Sequence, residues 1–177
     1  ETAVREFGQS NVYHADIKGK VKKITNGNHM LTMNDLVGSD AVATWTDPSN
    51  PSDIISFSID KPNKINRLTD VNKDIFYNVK FGEVEEITYK SVDEKYVQGW
   101  IVKPPNFDSN KKYPLVLRIH GGPHSMYHVG FNYNFQLHAA QDQVVLYTNP
   151  RGSTGYGYDF ANAIQNAYPG NDYDDIM

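Results

Sequence analysis

The chain has 177 residues, 39% of them hydrophobic and 21% charged, with a formal net charge of −4. That balance, with 12 Tyr and 8 Phe, suits one globular domain or two small ones and argues against disorder. An acidic chain without a long basic run is a poor partner for nucleic acid, the absence of Cys excludes disulfides and thiolate zinc sites, and no apolar run approaches the roughly 18 residues of a membrane helix.

The first seventy residues carry an internal repeat. Tyr13-His14-Ala15-Asp16 aligns with Phe57-Ser58-Ile59-Asp60 at an offset of 44, and the same offset pairs Lys20 with Lys64, Val21 with Ile65, Lys23 with Arg67, Ile24 with Leu68 and Thr25 with Thr69. Both copies read as a strand, a turn at Gly19 or Pro62-Asn63, and a second strand. Between them, Leu31–Leu36, Ala41–Trp45 and Ile54–Ile59 are candidate strands, the last alternating on its Ile55, Phe57, Ile59 face. A period of about 40–50 residues built from short strands marks β-propeller blades. Residues 28–70 are expected to form one four-stranded blade and residues 11–25 the outer half of the one before. A coincidental pair of hairpins in some other β domain is the alternative.

From residue 84 the pattern changes. Val84–Lys90 and Tyr96–Lys103 predict a hairpin around Ser91–Lys95, and Pro104-Pro105 ends it. Leu115–Ile119 reads as a strand buried on both faces and runs into His120-Gly121-Gly122-Pro123. Phe131–Gln143 predicts a helix, Gln143–Thr148 the next strand, and Phe160, Ala163, Ile164 and Ala167 the stripe of an amphipathic helix. This alternation argues a parallel α/β sheet. Ligands bind at the carboxyl ends of such strands, where His120–Pro123 and the Asn149–Tyr158 turn both fall. The start at Glu1 is neither an initiator Met nor a signal peptide, and Asn171–Met177 reads as the first turn of a helix capped by Asn171 or Asp172. The expectation from both ends is an excerpt of a longer chain.

The segments Gln98–Pro105, Tyr113–Leu117, His120-Gly121-Gly122-Pro123-His124 and Asn149-Pro150-Arg151-Gly152-Ser153-Thr154-Gly155-Tyr156-Gly157, with Leu68–Asn72 before them, together resemble the prolyl oligopeptidase family of serine peptidases, nearest its acylaminoacyl-peptidase and dipeptidyl-aminopeptidase branch. The resemblance implies a mixed architecture: the last one or two blades of a β-propeller over residues 1–78, then the N-terminal part of an α/β-hydrolase domain, with an incomplete parallel sheet, over residues 79–177. It implies hydrolysis of short peptides, no cofactor, and partnership with the remainder of the propeller and peptidase domain. It also implies a Ser, Asp, His triad in that chain order. The nucleophile of such enzymes lies in Gly-x-Ser-x-Gly, which occurs nowhere in this sequence; no triad residue is assigned here, and the excerpt alone is expected to be inactive.

By the same resemblance the Gly122 backbone N–H is one donor of the oxyanion hole, with Gly121 and His120 supporting its loop. The bare alternative for Gly121-Gly122-Pro123 is a tight turn. Triad order argues against His120 as the base, since the base follows the nucleophile; a hydrogen bond that buttresses the loop is the expected role. His120, His124 and His128 are spaced by four, but Gly121, Gly122 and Pro123 break the helix that would gather them around a metal. Arg151 is expected to tie loops together through backbone carbonyls rather than clamp a carboxylate. Gly152–Gly157 lacks the ending of a phosphate-binding P-loop, and no strand-to-helix elbow frames Ser153 as a nucleophile. Trp45 and Trp100 are read as packing residues. Two other classes stay open: a different α/β-hydrolase such as an esterase, which also uses a His-Gly-Gly turn, and a non-catalytic propeller-linked binding protein. The compartment, cytoplasmic or periplasmic and secreted, is undetermined.

Overall fold

In a computed structural model describing residues 1–177, the chain opens with a hairpin of β1 (Thr2–Glu6) and β2 (Gln9–Ala15). Its two-residue turn has positive φ at both Phe7 and Gly8, the handedness that matches the twist of the flanking strands. β3 (Val21–Lys23) pairs antiparallel with β2, and a single parallel bridge from Ser10 to Met30 joins β2 to the next group. That group is an antiparallel meander of β4 (Met30–Val37), β5 (Asp40–Thr46), β6 (Asp53–Ser58) and β7 (Lys61–Arg67), the four strands expected of a blade. A short helix α1 (Lys73–Phe76) follows. The core is Val12, Leu31, Ala41, Ala43, Ile55 and Phe57. Ile55 and Phe57 are buried while Ile54, Ser56 and Ser58, which alternate with them, are half-buried, as strand periodicity requires. β7 is a polar edge carrying Lys61, Pro62 and Lys64, residues that blunt pairing with another sheet.

The structure revises the repeat. The outer strands superpose at the 44-residue offset, but the inner strands superpose two residues closer, so that Asn11 matches Asp53 rather than Ile55. The hydrogen bonds establish this register. Ile24 N and Thr25 N both donate to the Val12 carbonyl (2.8 and 3.3 Å), and Leu68 N and Thr69 N both donate to the Ile54 carbonyl (2.8 and 3.3 Å). Thr25 Oγ1 accepts from Val12 N at 2.8 Å and donates to Asn11 Oδ1 at 3.1 Å; Thr69 Oγ1 accepts from Ile54 N at 2.9 Å and donates to Asp53 Oδ1 at 2.6 Å. Pairing is irregular between Ser56 and Ser58, which accommodates the two extra residues of the second copy.

The chain divides into two compact units: Glu1–Val79 with His128–Phe131, and Lys80–Tyr127 with Asn132–Met177. The second unit holds β8 (Val84–Lys90), β9 (Tyr96–Val102), β10 (Leu115–Arg118), α2 (Tyr133–Ala139), β11 (Val144–Asn149), α3 (Tyr158–Asn162) and α4 (Asn171–Asp174). Its sheet runs β10-β11-β9-β8 and only the β10–β11 pair is parallel, so the sheet is mixed rather than parallel throughout. Trp100 and Tyr147 stack across β9 and β11 with centroids 5.3 Å apart, and α2 adds Phe135, 4.7 Å from Tyr147.

Three expectations need correction here. Leu115–Ile119 is not buried on both faces within these 177 residues: β10 lies at the edge of the four strands they supply, with Leu115 60% and Ile119 58% exposed. The predicted helices are shorter than their apolar stripes, α2 ending at Ala139, three residues before Asp142 takes a positive φ, and of the Phe160–Ala167 stripe only Ile164 is buried. Neither Asn171 nor Asp172 caps α4; Gly170 occupies that position and Asp172 Oδ1 turns back to accept from Gly170 N at 2.7 Å. No helix is long and apolar enough to cross a membrane.

Candidate active site

β10 and β11 run parallel, so the loops that leave them emerge side by side. The first is His120–Tyr127 and the second begins at Pro150. Between them and the turns around α3 and α4 lies an open cleft of about 510 Å³, whose walls include His120, Gly121, Gly122, Arg151, Ile164 and Asp172.

Gly122 has φ +118°, a region that side-chain-bearing residues rarely adopt, and is exposed on the cleft wall. Its N–H has no acceptor within the protein. An unsatisfied, accessible backbone donor held by a glycine can receive an external oxygen without a Cβ in the way. Gly121 differs: its φ is not in the positive region and a Cβ there would meet nothing within 4 Å.

His120 is bonded to the loop that follows β11. Its Nε2 lies 2.9 Å from Ser153 Oγ and its Nδ1 3.3 Å from the Gly121 carbonyl. A carbonyl can only accept, so Nδ1 carries the proton and Nε2 accepts from the Ser153 hydroxyl. The ring packs edge-on against Tyr127, centroids 5.2 Å apart. Burial pushes the His120 pKa down, outweighing the hydrogen bond to the Gly121 carbonyl that would raise it, so the ring is neutral. This His–Ser contact has the elements of a nucleophile–base pair, but Ser153 is 0% exposed and cannot reach a substrate. The other histidines disperse: His124 Nδ1 donates to the Gly152 carbonyl at 3.1 Å, and His128, in the first unit, accepts from Gly130 N at 3.1 Å.

Arg151 ties loops together, chiefly through carboxylates rather than the expected carbonyls. It is 6% exposed, and its Nε and Nη2 reach Asp175 at 2.9 and 2.6 Å while Nη1 reaches Asp93 at 2.6 Å. Its Nη2 also donates to the Asn171 carbonyl at 3.2 Å, and its backbone N to Asp175 Oδ2 at 2.8 Å. Burial would raise the Asp175 pKa, but the hydrogen bonds from Arg151 and Ser91 and the guanidinium charge outweigh it and hold the carboxyl below its usual range. Arg151 has no free donor edge for a ligand carboxylate.

Sequence reasoning passed over Asn149. The residue is 0% exposed at the end of β11; its Oδ1 accepts from Tyr127 N at 2.7 Å, and its Nδ2 donates to the Tyr127 carbonyl at 2.9 Å and to the Tyr156 hydroxyl at 2.6 Å. Its only signal in the sequence is its place between an apolar strand and Pro150, which also describes any turn-forming Asn.

Residues 129–177 match the prolyl oligopeptidase family. An uncharacterized peptidase, YuxL, of Bacillus subtilis (strain 168) is 36% identical over 172 residues, covering 96% of this chain and 26% of its own length. Dipeptidyl-peptidase 5 of Aspergillus fumigatus is 39% identical over 104 residues, covering 54% of this chain and 14% of its own length. Among solved structures, Pyrococcus horikoshii acylaminoacyl peptidase superposes with a TM-score of 0.84 at 30% identity, covering 98% of this chain and 27% of that one. The chain thus spans about a quarter of the length of the peptidases that it matches along nearly all of its own. The ordered motifs, the matched profile and the shared fold converge on one likeness: this chain is similar to the peptidases of the prolyl oligopeptidase family.

Proposed function

We propose that the protein carrying this chain is a serine peptidase that hydrolyses short peptides through an acyl-enzyme, and that the chain supplies the electrophilic side of its active site. Residues 1–78 are the last one to two blades of a propeller, and residues 79–177 are the first part of the α/β-hydrolase domain. Attack of the nucleophile on the peptide carbonyl moves an electron pair onto the carbonyl oxygen. Gly122 N–H donates to that oxyanion, and the second donor is the N–H that follows the nucleophilic serine. The serine, aspartate and histidine come from outside these residues, and the 177-residue chain alone is inactive. The observation that carries this reading is the unpartnered Gly122 N–H at φ +118° on the wall of the cleft. The names of the relatives support the substrate class, as does an acylaminoacyl peptidase solved with Z-Gly-Gly-Phe-chloromethyl ketone, a peptide-like inhibitor.

The test is a pair of substitutions in the full-length protein, assayed on a panel of aminoacyl and N-acyl p-nitroanilides. Gly122→Ala forces the strained peptide to rotate and is expected to cost kcat about 10²-fold or more, the scale of losing one oxyanion donor. Gly121→Ala introduces no clash and is expected to lose less than about tenfold. A Gly122→Ala enzyme that keeps full kcat overturns the proposal.

A further inference from the structure

The loop that carries Gly122 is held almost wholly by the end of β11 and the turn that follows it. At one end Ser153 Oγ bonds His120 Nε2 at 2.9 Å; at the other Asn149 bonds both the N–H and the carbonyl of Tyr127 at 2.7 and 2.9 Å. Between these pins, His124 Nδ1 donates to the Gly152 carbonyl at 3.1 Å and Thr154 N to the Ser125 carbonyl at 2.9 Å. Within the loop the backbone bond is the tight Ser125 N to Pro123 carbonyl contact at 2.8 Å. Four of its residues thus take their positions from residues 149–154.

Asn149 does what a neighbouring strand would do. Its amide pairs with Tyr127 as one peptide pairs with another, at a place where β10 has ended and no backbone partner remains. Its last donor goes to Tyr156, whose hydroxyl donates in turn to Gln98 Oε1 at 2.5 Å on β9. The far end of the loop is thereby referenced to β11 and β9 rather than to β10, the strand from which the loop leaves.

We propose that Asn149 and Ser153 are positioning residues for the oxyanion donor: they fix the two ends of the His120–Tyr127 loop and so set where the Gly122 N–H points. This rests on Gly122 acting as proposed above. A peptide plane displaced by about an ångström can cost of order 10²-fold in rate while ground-state binding persists. Neither side chain touches substrate, since both are 0% exposed.

The experiment uses the full-length protein with Asn149→Asp, Asn149→Ala and Ser153→Ala, measuring kcat and KM separately on whichever p-nitroanilide of the panel the unsubstituted enzyme turns over. Asn149→Asp keeps shape and the acceptor for Tyr127 N but sets a carboxylate oxygen against the Tyr127 carbonyl. The expected result is a kcat loss of about tenfold or more with KM within roughly threefold, smaller than that of Gly122→Ala. For Asn149→Asp the activity relative to the unsubstituted enzyme should rise as pH falls, because a protonated carboxyl donates to the Tyr127 carbonyl as the amide did. Ser153→Ala, which deletes a single oxygen, keeps the test open if the Asn149 variants do not fold, and should show the same kcat-selected loss. Unchanged kcat in folded Asn149→Ala and Ser153→Ala, or equal losses in kcat and affinity with no pH recovery in Asn149→Asp, overturns the inference. If Gly122→Ala is itself harmless, it is the functional reading beneath it that fails.

Discussion

Replacing Asp175 by alanine removes the main partner of a guanidinium that is 6% exposed. Asp175 accepts four close bonds from Arg151: from Nε at 2.9 and 3.2 Å, from Nη2 at 2.6 Å and from the backbone N at 2.8 Å. Asp93, its remaining carboxylate partner, is partly open to solvent at 39% side-chain exposure and does not replace those bonds. Leaving one member of a buried pair costs about 3–5 kcal/mol, so the opening equilibrium of the turn should shift by a factor of roughly 10² to several thousand. Hydrogen–deuterium exchange of the full-length protein reads this through the Gly152 and Ser153 amides, which donate to the Phe160 and Pro150 carbonyls at 3.0 Å and do not contact Asp175. The double variant Arg151→Met with Asp175→Leu should lose less protection than the two single variants added, because it buries no orphaned charge. The pH sign follows from the lowered pKa of Asp175: its stabilisation is complete above the ordinary aspartate value of 3.8 and is lost as pH falls through the lower folded value. Unchanged protection in Asp175→Ala, or strict additivity in the double variant, would refute the reasoning.

Thr69→Val should destabilise the first unit by about 1–2 kcal/mol, since it orphans Ile54 N and removes a donor from Asp53, which is 2% exposed; Thr25→Val, whose partner is the neutral Asn11, should cost less, both read by chemical denaturation. His120 should titrate below its ordinary 6.5 when followed by NMR, so the neutral ring stabilises the loop above that pH and the contribution fades as pH falls through the folded value; a normal or raised pKa would contradict its burial. A fluorophosphonate probe should leave the 177-residue chain unlabelled at Ser125 and Ser153, Ser153 being fully buried, and stoichiometric labelling of either would place a nucleophile inside this chain.

Much of this was legible one residue at a time. The Ile55, Phe57 alternation and the Gly19 turn are local signals, and strands and hairpin appear where those signals lie. The hydrophobic stripe at 160–167 misled because periodicity reports which residues could face a core, not whether a core is present to receive them; only Ile164 found one. Side-chain likeness between Tyr13 and Phe57 points to the 44-residue offset, whereas the register follows the Asn11 and Asp53 hydrogen bonds, which similarity at one offset does not weigh.

By itself the sequence determined that a glycine turn follows an apolar strand, that a hairpin motif recurs, and that no Gly-x-Ser-x-Gly lies in the chain, because these rest on composition and spacing within a few residues. Only the tertiary structure decided which neighbours meet. The parallel pairing of β10 and β11 brings loops distant in sequence side by side, so that His120 meets Ser153 and Asn149 meets Tyr127. Hydrogen bonds between distant residues depend on sheet register, and register is a property of the whole sheet rather than of any one segment.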